Sequence, residues 1–151
     1  MIKNLSVYSS KGIRLNKTAI HKIVSLLKDD LKFCVESLQF NFVLGEEIHK
    51  INKKYLKHDF TTDIITFNYS GKFDNLDGEI FISVDDALRN SKKYEITLDN
   101  EITRLVIHGI LHMLGYDDIK PADKRKMKIE EDRLVNLFSK KLKESIALYA
   151  N

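Results

Sequence analysis

Hydrophobic positions along this chain change their period several times, and each change marks an element. Apolar and polar residues alternate over residues 2–8, which predicts a first strand. Asn16 or Thr18 then stands where a side-chain oxygen can cap a helix, with Ile20, Ile23, Val24 and Leu27 on one face. Alternation returns at Leu38, Phe40, Phe42 and Leu44, with Gln39, Asn41 and Val43 between them, the pattern of a half-buried strand. Gly45 opens a short helix to about Leu56. Strands are expected over 63–69 and 79–83, with a turn over 71–77 between them and a helix over 84–94 after them. The second half reads as helical. Ile102, Leu105, Val106 and Leu111 fall at helical spacing in a largely buried segment over 99–114. After Pro121 a long helix places Leu134, Leu137, Phe138, Leu142 and Ile146 on its inner stripe. The elements add up to a four-stranded sheet with helices packed on it, an α/β or α+β layout.

Composition narrows the setting. A chain of 151 residues, 43% of them hydrophobic, is long enough for one domain with a real core, and residues 1–151 are expected to form a single domain. There is no repeat, no low-complexity tract and no linker rich in proline and glycine; Pro121 is the only proline. The longest apolar stretch, 105–114, is broken by two histidines and is too short to span a membrane. The first residues lack the layout of a secretion signal, and the lone Cys34 cannot form an intrachain disulfide, so the cytoplasm is the expected location. The net charge of +3 is unevenly placed, with nine Lys/Arg against five Asp/Glu from Lys120 onward. A basic tail suits a polyanion such as RNA, although a solvated helix face accounts for the charge equally well.

The chemistry concentrates at His108 and His112. Four residues apart in a helix of 3.6 residues per turn, the two imidazoles share a face, one turn from each other, and can grip one ion. Gly115 supplies the left-handed conformation that ends a helix. The chain can then double back and offer a third ligand from Tyr116, Asp117 or Asp118. The spacing His-x-x-x-His-x-x-Gly-x-x-Asp follows the long zinc-peptidase motif but has Gly109 where that motif has its glutamate base, so peptidase chemistry is removed and the metal geometry kept. Three protein ligands with an open fourth position is the pattern of a catalytic zinc site. Either histidine alone reads as an ordinary core residue; the pair, followed by glycine and two carboxylates, favours a metal. One split makes Asp118 the ligand and Asp117 a supporting or turn-stabilising group, with Tyr116 a packing residue whose hydroxyl stays wet.

The run His-Gly-Ile-Leu-His-Met-Leu-Gly-Tyr-Asp at 108–117 resembles the YbeY family of metal-dependent, single-strand-specific endoribonucleases of bacterial ribosomal RNA maturation. Asp-Phe-Thr-Thr-Asp-Ile-Ile-Thr-Phe at 59–67 and Gly-Glu-Ile-Phe-Ile-Ser at 78–83 are similar to two further signatures, so the likeness covers nearly the whole chain. It implies an α+β fold, a small mixed four-stranded sheet with about five helices and the metal site at the end of a buried helix. It also implies a divalent, zinc-type ion and RNA and ribosomal partners.

Two positions depart from that pattern. Asp118 stands where the family usually has a third histidine; aspartate is a competent zinc ligand that changes the charge of the site. Leu56 stands where the family has an arginine implied to act on substrate, and leucine cannot bind phosphate. Lys50, Lys53, Lys54 and Lys57 lie within about 100° of arc on their helix, opposite Ile48, Ile51 and Tyr55. Lys53, Lys54 and Lys57 are therefore candidate substrate-binding residues, a stripe able to follow a phosphate backbone or simply the wet face of an amphipathic helix. His21 and His49 are placed on helix surfaces, His58 in a loop and Cys34 as packed. Asp85 and Asp86 are read as favouring the start of the helix that follows them, and Thr62 and Asp63 as shaping the floor of a cleft.

The leading reading is thus metal-assisted cleavage of single-stranded RNA at a site of His108, His112 and Asp118. Gly109 cannot act as a base, and no catalytic proton acceptor is assigned. The alternative is a non-catalytic, ribosome-associated RNA-binding assembly factor with a structural metal; a peptidase is disfavoured by Gly109.

Overall fold

The computed structural model describes residues 2–56, 62–141 and 146–149. In chain order the elements are β1 (Leu5–Ser9), β2 (Ile13–Leu15), α1 (Lys17–Leu31), β3 (Cys34–Val43), α2 (Gly45–Tyr55), β4 (Ile64–Asn68), β5 (Asn75–Ser83), α3 (Val84–Lys93), α4 (Leu98–Met113), α5 (Pro121–Lys141) and β6 (Ala147–Tyr149). The main sheet has the order β1-β3-β5-β4, parallel throughout except for β4, which runs antiparallel to β5 at the edge. Five helices and a mixed four-stranded sheet are the α+β layout expected.

Local chemistry explains most boundaries. Asn16 caps α1 by accepting from the Ala19 amide, Ser83 caps α3 through Asp86, and Thr97 caps α4 through Asn100. Pro121 opens α5, where its missing N–H costs nothing. Asp85 does more than start α3: its carboxylate also accepts from the Gly45 amide at 2.6 Å and ties the first turn of α2 to α3.

The sheet is covered on both faces. Phe40, Phe42, Ile80 and Ile82 pack with α1, α4 and α5 in the main core, whereas Val43, Ile65, Phe67 and Phe81 pack with Ile48 and Ile51 of α2 in a smaller one. The C-terminal half of β3 is therefore buried on both sides, Asn41 included, and not half-buried as its alternation suggested. α4 crosses the sheet at its closest approach through Gly109, where an added Cβ would lie 3.0–3.2 Å from Ile80 and Ile64. Gly78 does the same for the edge strand: a Cβ there would overlap the Phe67 carbonyl of β4.

Several local expectations are corrected. Asn4 takes a left-handed conformation, so β1 starts only at Leu5. β5 begins at Asn75, and part of the expected 71–77 turn is strand. Leu142 lies outside the described residues; Ile146, placed on the helix stripe, lies beyond the end of α5 and is buried leading into β6. β6 pairs antiparallel with β2, a two-stranded sheet whose partners are more than 130 residues apart and which no local period announces. His21 is buried, in a cavity it lines with Ile2, Lys3 and Asn4, and not on the surface of α1, and Cys34, expected to be packed, is exposed at the start of β3.

Candidate metal centre

Along α4, Glu101, Arg104, His108 and His112 succeed one another at spacings of three and four, a polar line on a helix whose other residues from Ile102 to Met113 are buried and, Thr103 apart, apolar. The helix stops in a double reversal. The Gly115 amide donates to the His112 carbonyl and the Tyr116 amide to that of Leu111, both at 3.0 Å, with Gly115 at φ +98°. Asp117 then accepts from the Ile119 amide at 2.9 Å, closing a turn that carries Asp118 back over the histidines. The turn-stabilising role suggested for Asp117 is the one its side chain takes, and Tyr116 packs against the core.

His108, His112 and Asp118 thus come together. The two Nε2 atoms are 3.1 Å apart, and Asp118 Oδ2 lies 3.6 Å from His108 Nε2 and 3.5 Å from His112 Nε2. Tetrahedral zinc with bonds of about 2.0–2.1 Å separates its ligand atoms by about 3.3–3.4 Å, a value these edges bracket. The three side chains are partly exposed, as an accessible ion requires. The donor set fits as well. His112 Nδ1 faces the Tyr116 carbonyl at 3.1 Å and His108 Nδ1 faces Glu131 Oε1 at 2.7 Å. Both partners only accept, so each Nδ1 donates and each Nε2 lone pair is turned to the centre. In Cys-free oxygen and nitrogen surroundings, such a set suits zinc and other first-row divalent ions.

Glu131 of α5 is the support that sequence reasoning missed. It is buried within the stripe of Met127, Leu134, Val135 and Phe138, and a carboxylate on such a stripe was the available signal. Its Oε2 accepts from Arg104 Nη1 at 2.9 Å, and the same nitrogen reaches Asp132 at 2.9 Å. Burial alone would push His108 down and Glu131 up. The hydrogen bond and charge between them overturn both, so His108 lies above the ordinary histidine range and Glu131 below that of glutamate.

A cavity of about 480 Å³ opens on the cluster, lined by His108, Asp118 and Glu131 and by Pro121, Lys124, Arg125, Met127 and Lys128. Its cations come from α5. Lys53 and Lys54 do not line it: they are exposed on α2, which packs on the opposite face of the sheet from α4, and the Lys54 ammonium lies 5.3 Å from the Tyr55 ring. Lys57, His58 and Asp59 fall outside the described residues. Asp63, expected on the cleft floor, lines a separate cavity beside this one.

The family described as Endoribonuclease YbeY matches residues 4–139. The chain belongs to the YbeY family. It is 34% identical over 138 residues to the Endoribonuclease YbeY of Chlorobium phaeobacteroides, covering 91% of this chain and 96% of that one. The corresponding protein of Phocaeicola vulgatus is 37% identical over 136 residues, covering 87% and 97%. The solution structure of TM1509 from Thermotoga maritima shares the fold with a TM-score of 0.60 at 22% identity, over 87% of each chain. YbeY relatives named as nucleases favour neither the binding-only reading nor the peptidase. Gly109 adds a physical reason against the latter, because a side chain there would be driven into Ile80 and Ile64.

Proposed function

We propose that this protein is a metal-dependent endoribonuclease that cleaves single-stranded RNA during ribosomal RNA maturation, with one divalent ion, zinc, held by His108, His112 and Asp118. The observation that carries the reading is a cluster of three donor atoms spaced for one ion and facing a cavity with three cationic side chains, in a chain of the YbeY family. A divalent ion bound there supplies Lewis-acid polarisation of a phosphoryl oxygen and acidifies a water.

The protein's own residues do the rest. Arg104 fixes Glu131, and Glu131 fixes the tautomer and ring orientation of His108, so the donor set is organised before substrate arrives. Lys124, Arg125 and Lys128 hold the RNA backbone in the cavity, in place of the arginine that Leu56 replaces and of the α2 lysines. The helix presents no base at Gly109. The hydroxyl that attacks phosphorus belongs either to the neighbouring ribose, leaving a cyclic phosphate and sparing DNA, or to water, and end-group analysis of the product separates the two. Substrate and composition together favour a cytoplasmic protein working on ribosomal RNA and its ribosomal proteins, with residues 1–151 acting as one unit; among the described residues no helix is long and apolar enough to cross a membrane.

The test compares cleavage of a single-stranded ribosomal RNA fragment by wild type and His112→Ala purified in parallel, which controls for trace ribonuclease. Activity in the wild type alone, removed by a chelator and restored by a divalent ion, is the expected result. Equal activity in both, or none in metal-loaded wild type, overturns the proposal.

A further inference from the structure

A second cavity, of about 430 Å³, lies beside the metal centre and shares Lys128 with it. Four segments supply its polar and aromatic groups: Asp63 precedes β4, Asn90 and Tyr94 come from the end of α3, Glu101 and Arg104 from α4, and Lys128 from α5. A solvated crevice between helices would be ringed by mobile charge, yet the polar groups here are held in place. Glu101 is only 5% exposed. Asp63 accepts from the Asn90 amide at 3.3 Å, and its own carbonyl accepts from the Ser83 amide at 2.9 Å. The ion pairs that Arg104 makes with Glu131 and Asp132 both use Nη1, so its guanidinium is fixed where it meets the cavity. Tyr94, 62% exposed, supplies an aromatic face at the mouth. Burial holds the Asp63 and Glu101 carboxyls above the ordinary range, and the nearby Asp63 carboxylate pushes Glu101 further the same way.

An aromatic face, two acceptor groups and two cationic donors in one cavity match one kind of molecule in a nuclease, a base splayed out of a single strand. Guanine matches the distribution best. Its N1–H and N2 amino group form a row of donors for Asp63 or Glu101, and its O6 and N7 form a row of acceptors for Arg104 and Lys128. Uracil offers one donor flanked by two carbonyls that carboxylates repel. We propose that this cavity is a base subsite that reads guanine on the nucleotide next to the cleaved phosphate. The inference rests on the nuclease reading, and Lys128, common to both cavities, is the bridge between the phosphate and its base.

Two measurements test it separately from that reading. In the first, wild type and Glu101→Gln cleave uridine-rich single strands that carry one guanine, adenine, cytosine or no substitution. Wild type is expected to cut next to guanine about tenfold more efficiently than elsewhere, the effect of one bidentate pair, and the ratio is expected to collapse towards one in Glu101→Gln. In the second, which needs no cleavage, guanosine and uridine monophosphates are titrated into the wild-type protein and followed by NMR. Guanosine monophosphate alone should shift Asn90 and Tyr94. Cleavage without base preference, or equal shifts from both nucleotides, sinks the subsite. Absence of cleavage on every strand counts against the nuclease reading, and the titration still decides the cavity.

Discussion

Glu131→Gln isolates the support beneath the metal centre. Glu131 is 6% exposed and accepts on both sides, from His108 at 2.7 Å and from Arg104 at 2.9 Å. Glutamine fills the same volume but has one acceptor oxygen; its amide nitrogen only donates and must face either the imidazole N–H or the guanidinium. Whichever way it turns, one charge-assisted bond is lost, a change of about 1.5–3 kcal/mol. Arg104 keeps Asp132, so the loss stays near the lower end for stability, roughly 3–6 °C in Tm for a chain of this length. The centre loses the partner that orients His108, and such partners typically contribute 10- to 100-fold in metal affinity, about 1.4–2.7 kcal/mol. Competition for Zn²⁺ against a chromophoric chelator measures that ratio directly, and thermal unfolding of metal-free protein measures the first. Asp132→Asn serves as the control, since it removes the charge of the more exposed of Arg104's two partners, which also pairs with Lys128, and leaves Glu131 on His108. Zinc affinity of Glu131→Gln within twofold of wild type would falsify the assignment of Glu131 as the group that sets His108.

Three further outcomes follow from the same geometry. Lys124→Ala with Arg125→Ala should weaken binding of single-stranded RNA and reduce its salt slope by about one for each phosphate contact removed; a larger effect from Lys53→Ala with Lys54→Ala would return the backbone track to α2. Gly109→Glu, which completes the zinc-peptidase motif, drives a carboxylate against Ile80 and Ile64 and should cost about 3 kcal/mol or more, with no gain of proteolysis; a wild-type urea midpoint refutes this. Asp30 is held below the ordinary aspartate range chiefly by its hydrogen bond from Arg133. Its folded-state pKa is depressed, so its contribution is present above the unfolded value and is lost as pH falls through the folded one. Asp30→Asn should therefore flatten the acid limb of the stability profile, and an unchanged limb in acid denaturation counts against the pair.

Much of this molecule was legible in its sequence wherever the interaction concerned was local. Helical spacing put His108 and His112 on one face, Gly115 ended the helix, and the order of strands and helices followed from period, cap and proline, because a helix turn and a cap are decided within four residues. The reversal after Gly115 is also local, so the third ligand could be narrowed to Tyr116, Asp117 or Asp118, and the hydrogen bond of Asp117 to the Ile119 amide leaves Asp118 facing the histidines. What remained hidden depends on distant partners. β2 and β6 are three residues each and exist only as each other's partners. The C-terminal half of β3 changed from half-buried to buried because α2 closes the second face of the sheet, and His21 from surface to buried because the residues before β1 lie beside it. Glu131 and Arg104 stand 27 residues apart and meet only because α5 packs along α4. The cations of the cavity came from α5 and not from the lysine stripe on α2 for the same reason: a period assigns a residue to a face, and only the packing of that face against the rest of the chain decides which site it looks into.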